Sequence, residues 1–264
     1  MKILAIGDPH GDLKSIKKIS LKGVDLILLT GDLGSASLMR NQAFENIERR
    51  KKGLPEKIYS SRDKKRAFME AYTTSVNVVR YLSKYAPVFT IYGNVESTNA
   101  ETREYSKSIG LPLPFLTKTL EKIRNVKIIN DKKIKFDGVN IGGLSYFVDD
   151  VWVKSFKPSE FKKSLSRANK QTSKAKKVLK RFGEVDILVC HQPPLGFLDK
   201  VTAPFAPKHW KGKNAGSKVI LDYIKRKHPK FVFCGHIHEG QGSAKIGKTL
   251  VCNLGVAGYR VITI

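Results

Sequence analysis

Short apolar runs recur along the chain at residues 3–6, 26–30, 88–92, 187–190 and 231–234. Each is rich in Val, Ile, Leu or Phe, the pattern of strands buried on both faces of a sheet. Helical patterns lie between them, such as Leu13 and Ile16 after the first run and Val219, Ile220 and Ile224 before the last. Strands alternating with helices predict βαβ units, a largely parallel sheet and hence an α/β protein. Further short strands are predicted at 126–129, 134–136 and 139–141. Near the end, residues 244–251 read as a hairpin in which Gly247 opens a two-residue turn with Lys248. Residues 260–264 read as a last strand.

Two longer segments have helical periodicity. Phe68, Tyr72, Ser75, Val79 and Leu82 follow the 4,3,4,3 spacing of one buried stripe, with Ser60 and Asp63 as a capping pair just before it. Phe161, Leu165, Ala168, Thr172, Ala175, Leu179 and Phe182 keep the same spacing. That second helix also carries Lys162, Lys163, Arg167, Lys170, Lys174, Lys176, Lys177, Lys180 and Arg181, with Glu160 as the acidic residue near its start. It is expected to bury its apolar stripe and present a basic face to solvent. With no repeat, low-complexity tract or flexible linker, residues 1–264 read as one domain with helical insertions near 36–85 and 145–185.

Composition narrows the class. An apolar fraction of 41% supports a substantial core, which excludes a disordered basic tail. No apolar run approaches the roughly 18 residues of a membrane span. The apolar opening residues run straight into Asp8-Pro9-His10, so they read as a first strand, and the cytoplasm is the expected compartment. Cys190, Cys234 and Cys252 lie in strand-like runs and read as reduced core thiols. The net charge of +26 attracts polyanions, so nucleic acid is one expected partner class. Compositional bias explains the same charge equally well.

The polar groups placed just after the apolar runs carry the chemistry. The first run leads to Gly7-Asp8-Pro9-His10, the second to Gly31-Asp32, and the third to Gly93-Asn94. The fourth leads to His191 and the fifth to Gly235-His236-Ile237-His238. In a parallel sheet the carboxyl ends of the strands share one edge, so these groups can converge there. The glycines suit a chain that turns sharply or approaches a neighbour where Cβ is forbidden. Four of the six histidines fall at these strand ends, namely His10, His191, His236 and His238. Singly, Asp32 and Asn94 read equally well as turn residues and Asp12 as a helix N-cap; five elements in order do not.

The pattern Asp8-Pro9-His10, Gly31-Asp32, Gly93-Asn94-Val95-Glu96, His191 and Gly235-His236-Ile237-His238 resembles the calcineurin-like metallophosphoesterase family, in family order. The resemblance implies a four-layer α/β/β/α sandwich of two packed sheets, with a metal site at the C-terminal ends of the strands. It also implies that Asp8, His10, Asp32 and His238 hold one ion and that Asp32, Asn94, His191 and His236 hold another. Two such ions clamp an in-line phosphoryl displacement, and a carboxylate such as Asp32 bridges them. Nitrogen and oxygen ligands without thiolate suit Mn, Fe, Zn, Co or Ni. The implied activity is hydrolysis of a phosphodiester or phosphomonoester by a metal-bridging hydroxide.

One position departs from the family pattern. Where the family has a histidine that protonates the leaving group, this chain has Val95, followed by Glu96 with no imidazole to orient. The loss puts general acid catalysis in question, an effect worth about 10²–10⁴-fold in rate. His209, in the loop 197–218 that follows a metal-site strand end, is the spare histidine offered as an alternative donor, although a place beside Trp210 is the simpler reading. His228 reads as a surface residue. Two other readings remain, a catalytically weak metal-binding scaffold and a nuclease or nucleic-acid-binding phosphoesterase; retention of every expected ligand favours the enzyme.

Overall fold

The computed structural model describes residues 1–156, 161–204, 206 and 208–264. Among these residues the strands are β1 (Lys2–Ile6), β2 (Leu26–Leu29), β3 (Val88–Thr90), β4 (Val126–Ile128), β5 (Lys132–Phe136), β6 (Val139–Leu144), β7 (Ile187–Cys190), β8 (Phe231–Cys234), β9 (Gly242–Ile246), β10 (Thr249–Asn253) and β11 (Tyr259–Thr263). The helices are α1 (Leu13–Ile16), α2 (Ser37–Lys51), α3 (Ser61–Leu82), α4 (Asn99–Ile109), α5 (Leu116–Leu120), α6 (Asp150–Phe156), α7 (Phe161–Phe182) and α8 (Lys218–Lys227). All the predicted strands form, those at 187–190 and 231–234 with the predicted ends and the others with one end or both shifted by one to three residues.

The strands assemble into two sheets, ordered β11-β1-β2-β3-β4 and β5-β6-β7-β8-β10-β9. Their interiors are parallel, from β1 to β4 and from β6 through β8 to β10. Antiparallel strands close three of the edges, with β11 on β1, β5 on β6 and β9 on β10. In the β9–β10 hairpin Ile246 faces Thr249, and Gly247 takes φ +58°, the turn expected from the sequence.

The period of two along each strand sorts its side chains between two cores. Ile3 and Ala5 of β1 and Leu26 and Leu28 of β2 meet Ile187 and Val189 of β7 and Phe233 of β8 between the sheets. Leu4, Ile6, Ile27 and Leu29 face the other way, onto Val78, Val79 and Leu82 of α3. On the far side Leu188, Cys190, Val232 and Cys234 pack against Val178, Leu179 and Phe182 of α7 and Ile220 and Ile224 of α8. The result is the four-layer α/β/β/α sandwich. Each such apolar side chain, fully buried, contributes roughly 1.5–3 kcal/mol, so both strand faces are held. The three cysteines are free and buried, as expected.

The long helices follow their stripes. In α3, Ser75, Val79 and Leu82 are buried, and the Ser60 hydroxyl caps the helix by accepting from the Asp63 N–H. In α7, Ala168, Thr172, Ala175, Leu179 and Phe182 are buried, while Lys170, Lys176, Lys177 and Lys180 stand in solvent. The polyanion expectation attaches to this basic face. Glu160 and the side chains of Phe161, Lys162 and Lys163 lie outside the described residues. Among the described residues no helix is long and apolar enough to cross a membrane.

Candidate metal centre

The strand ends that carry the predicted site come from both sheets, β1, β2 and β3 from one and β7 and β8 from the other. Stacking the sheets with these ends together closes the site. On one side His10 Nε2 lies 3.2 Å from His238 Nε2, and His238 Nε2 lies 3.2 Å from Asp8 Oδ2. On the other, Asn94 Oδ1 lies 3.0 Å from His191 Nε2 and 2.9 Å from His236 Nδ1. Asp32 stands between them, with Oδ2 3.8 Å from His10 Nε2 and Oδ1 3.6 Å from His191 Nε2. All seven residues singled out in the sequence therefore meet in one cluster.

The local backbone is bent to bring them there. His10, Asp32 and His236 adopt φ of 43°, 45° and 65°, in the left-handed region that non-glycine residues seldom occupy. Such strain collects at functional sites, where the surrounding packing holds it. Two glycines make room for the carboxylates. A Cβ on Gly93 would come within 2.2 Å of Asp32 Oδ1, and one on Gly235 within 2.2 Å of Asp8 Oδ1. The close approach expected of these glycines is thus a contact with the carboxylates of the candidate ligands Asp32 and Asp8.

Electrostatics and hydrogen bonding fit a cation at this point. His191 donates from Nδ1 to the Thr30 carbonyl at 2.9 Å, which leaves Nε2 facing the oxygens of Asn94 and Asp32. Converging lone pairs need a proton or a metal ion between them. Burial opposes a charge on Asp8, but His191, His238 and the His236 N–H hold its carboxyl down at about 2. Burial and the neighbouring His191 push His236 down to about 3, which keeps its imidazole neutral and available as a ligand. A set of carboxylate, amide and imidazole donors is right for a divalent ion of the Mn–Zn series. Asp8, His10 and His238 form one group able to hold it, and Asp8, Asp32 and His191 another.

The sequence did not reveal the residues that support this cluster. Thr30, the last residue of its predicted strand, donates from Oγ1 to Asp8 Oδ1 at 2.9 Å while its carbonyl orients His191. Asn253, at the end of β10, donates to the Ile237 carbonyl at 2.8 Å and so fixes the loop between His236 and His238. Tyr146 packs against His191 and His236, with ring centroids 5.7 and 5.3 Å away. No motif marks these positions, because each contact is made between segments far apart in the chain.

Glu96 has a structural function that its neighbour Val95 conceals. Its carboxylate accepts from the backbone N–H groups of Asp32, Leu33 and Gly93 at 2.9, 2.7 and 2.9 Å, clamping the loops after β2 and β3 together. Burial and the charge of Asp32 push its carboxyl up to about 7, against the pull of these three donors. Glu96→Ala leaves the donors buried and unpaired, at about 1–3 kcal/mol each. Metal-free Glu96→Ala is therefore expected to unfold in urea with a loss of about 3 kcal/mol or more, and a loss below about 0.5 kcal/mol would reject the clamp.

The remaining sequence candidates separate from the cluster. Asp12 caps α1 by accepting from the Ser15 N–H, and exposed His228 ends α8 in a left-handed conformation. His209 is exposed, edge-on to Trp210 at 5.9 Å. Val95 donates its N–H to Asp32 Oδ1 at 2.9 Å, while its side chain borders a cavity of about 280 Å³ shared with Phe68, Tyr72 and Tyr105.

A four-layer sandwich with this ligand cluster at the shared strand ends defines a metal-binding protein of the phosphoesterase type of architecture. The model of the calcineurin-like phosphoesterase family matches residues 1–240, and the chain belongs to that family. Human metallophosphoesterase domain-containing protein 1 is 42% identical over 73 residues, 27% of this chain and 20% of its own length. A UPF0046 protein of Caenorhabditis elegans is 28% identical over 131 residues, 50% of this chain and 38% of its own. The matched regions are thus well under two thirds of these relatives' lengths. The phosphopantetheinyl hydrolase of Mycobacterium tuberculosis is similar in fold, with a TM-score of 0.54 at 12% identity over 99% of this chain and 95% of that one.

Proposed function

We propose that the protein is a metal-dependent phosphoric ester hydrolase that uses two divalent ions and acts on a phosphodiester or phosphomonoester. The observation that carries this reading is the position of Asp32, whose two carboxylate oxygens face different imidazoles, His10 and His191. Asp8, His10, Asp32 and His238 would hold one ion, and Asp32, Asn94, His191 and His236 the other. When bound, the ions supply Lewis acidity toward a phosphoryl oxygen and acidify water.

The protein's own residues then have definable tasks. Thr30 fixes Asp8 and the tautomer of His191, since its carbonyl takes the Nδ1 proton and leaves Nε2 free. Glu96 holds Asp32 and Gly93 in register, and the ring of Tyr146 shields one side of His191 and His236 from water. The diester is favoured slightly over the monoester, and the solved hydrolase of similar fold, by its name, acts on a phosphopantetheinyl group.

Chelation tests the reading. Metal-free protein is expected to lose hydrolysis of p-nitrophenyl mono- and diesters and to regain it on addition of Mn, Fe, Zn, Co or Ni. Full turnover after exhaustive chelation would rule the metal-dependent reading out.

A further inference from the structure

Beside Asn94 and Tyr146 the surface falls into a cavity of about 390 Å³, within the size range of small-molecule sites. One wall is α7, where Arg167, Gln171 and Lys174 line the cavity at a 4,3 spacing, each one residue ahead of the buried Ala168, Thr172 and Ala175. This places part of the basic helix against the metal centre. The charge of Arg167 acts on the Tyr146 phenol, and the Tyr146 ring touches His191 and His236. Arg167 thus lines the same cavity as Tyr146 and the candidate ligand Asn94.

Three carboxylates also reach this cavity, and each is already occupied by donors. Glu96 holds its three backbone N–H groups. Glu101 accepts from the Thr98 N–H and hydroxyl at 2.8 and 2.9 Å in the capping box of α4. Asp131 takes the Ser145 hydroxyl and the Lys174 ammonium, both at 2.8 Å. Arg167 has no ion pair or hydrogen bond among the described residues. Two amides add donors. Asn130 Oδ1 accepts from the Tyr92 N–H at 2.7 Å and Gln171 Oε1 from the Val148 N–H at 2.6 Å, which leaves both NH₂ ends free of partners among the described residues.

An unpaired guanidinium with two amide donors, over carboxylates already satisfied, is a receptor for an oxyanion; Arg matches phosphate geometry in particular. We propose that this cavity is a second anion subsite, in which Arg167 binds a phosphate remote from the scissile one, so that the substrate carries at least two phosphate groups. The inference rests on reading the adjoining cluster as the hydrolytic centre.

The test uses two p-nitrophenyl phosphodiesters that are identical except that the second arm ends in a hydroxyl or in a phosphate. The metal-loaded protein is expected to favour the phosphate-ended diester by about 10-fold or more in kcat/KM, chiefly through KM. Arg167→Ala should bring that ratio close to one and Arg167→Lys should recover part of it, whereas Lys180→Ala, on the solvent face of the same helix, should keep it. The second readout is calorimetric binding of inorganic phosphate to metal-free protein, which Arg167→Ala should weaken about 10-fold. A natural protein without the preference, or an Arg167→Ala variant that retains it, would overturn the subsite. If the metal-loaded protein cleaves neither diester while Arg167→Ala still weakens phosphate binding, the subsite stands and the hydrolytic reading falls.

Discussion

Asp32→Asn is expected to lower phosphoesterase activity on the order of 10²–10³-fold or more and to reduce the metal content of both sites together. The substitution is chosen for what it keeps. Asparagine tolerates the left-handed backbone at φ 45° and retains an oxygen for the Val95 N–H. What it removes is the negative charge and one of the two oxygens that face His10 and His191. His238→Ala, by contrast, should mainly weaken the ion held with Asp8 and His10, because its Nε2 lies with those residues and not with Asn94. Metal analysis of the two purified variants distinguishes the cases. Two ions bound to Asp32→Asn, with full activity, would eliminate the bridging assignment.

Val95 gives the second large effect. A valine side chain transfers no proton, so the departing oxygen must carry its developing charge alone or against a metal. Hydrolysis should then depend steeply on leaving-group pKa, with alkyl esters slower than aryl esters by more than their chemistry predicts. Val95→His should rescue the alkyl esters selectively, by about 10²-fold or more, the lower range of general acid catalysis. The backbone bond from the Val95 N–H to Asp32 does not depend on the side chain, so the substitution keeps it. Measuring kcat/KM over an aryl-to-alkyl series in both proteins isolates the effect from changes in folding. A flat series in the natural protein would mean that another group already donates the proton. His209 is then the variant to make, although its exposed place against Trp210 argues for packing.

The strands, the stripes of the long helices and the seven ligand candidates were all legible along the chain. They could be read there because they are local signals: runs of apolar residues, a 3.6-residue period, and a polar group placed directly after a strand. Which strand belongs to which sheet was not legible. Both faces of β1 and β7 are apolar, so the pattern along them does not say that Ile3 and Ile187 share one core while Leu4 and Leu188 lie in two others. Packing also made outer layers of the sandwich from residues within 36–85 and 145–185, since α3 and α7 each bury a stripe on a different sheet. The supports of the site came from the same source. Glu96 reaches back across 63 and 64 residues to Leu33 and Asp32, and Thr30 reaches across 161 to His191. The Glu96 contacts form when β3 pairs beside β2 in one sheet, and the Thr30 contact forms when the two sheets stack; no short-range pattern relates residues that only the fold brings together.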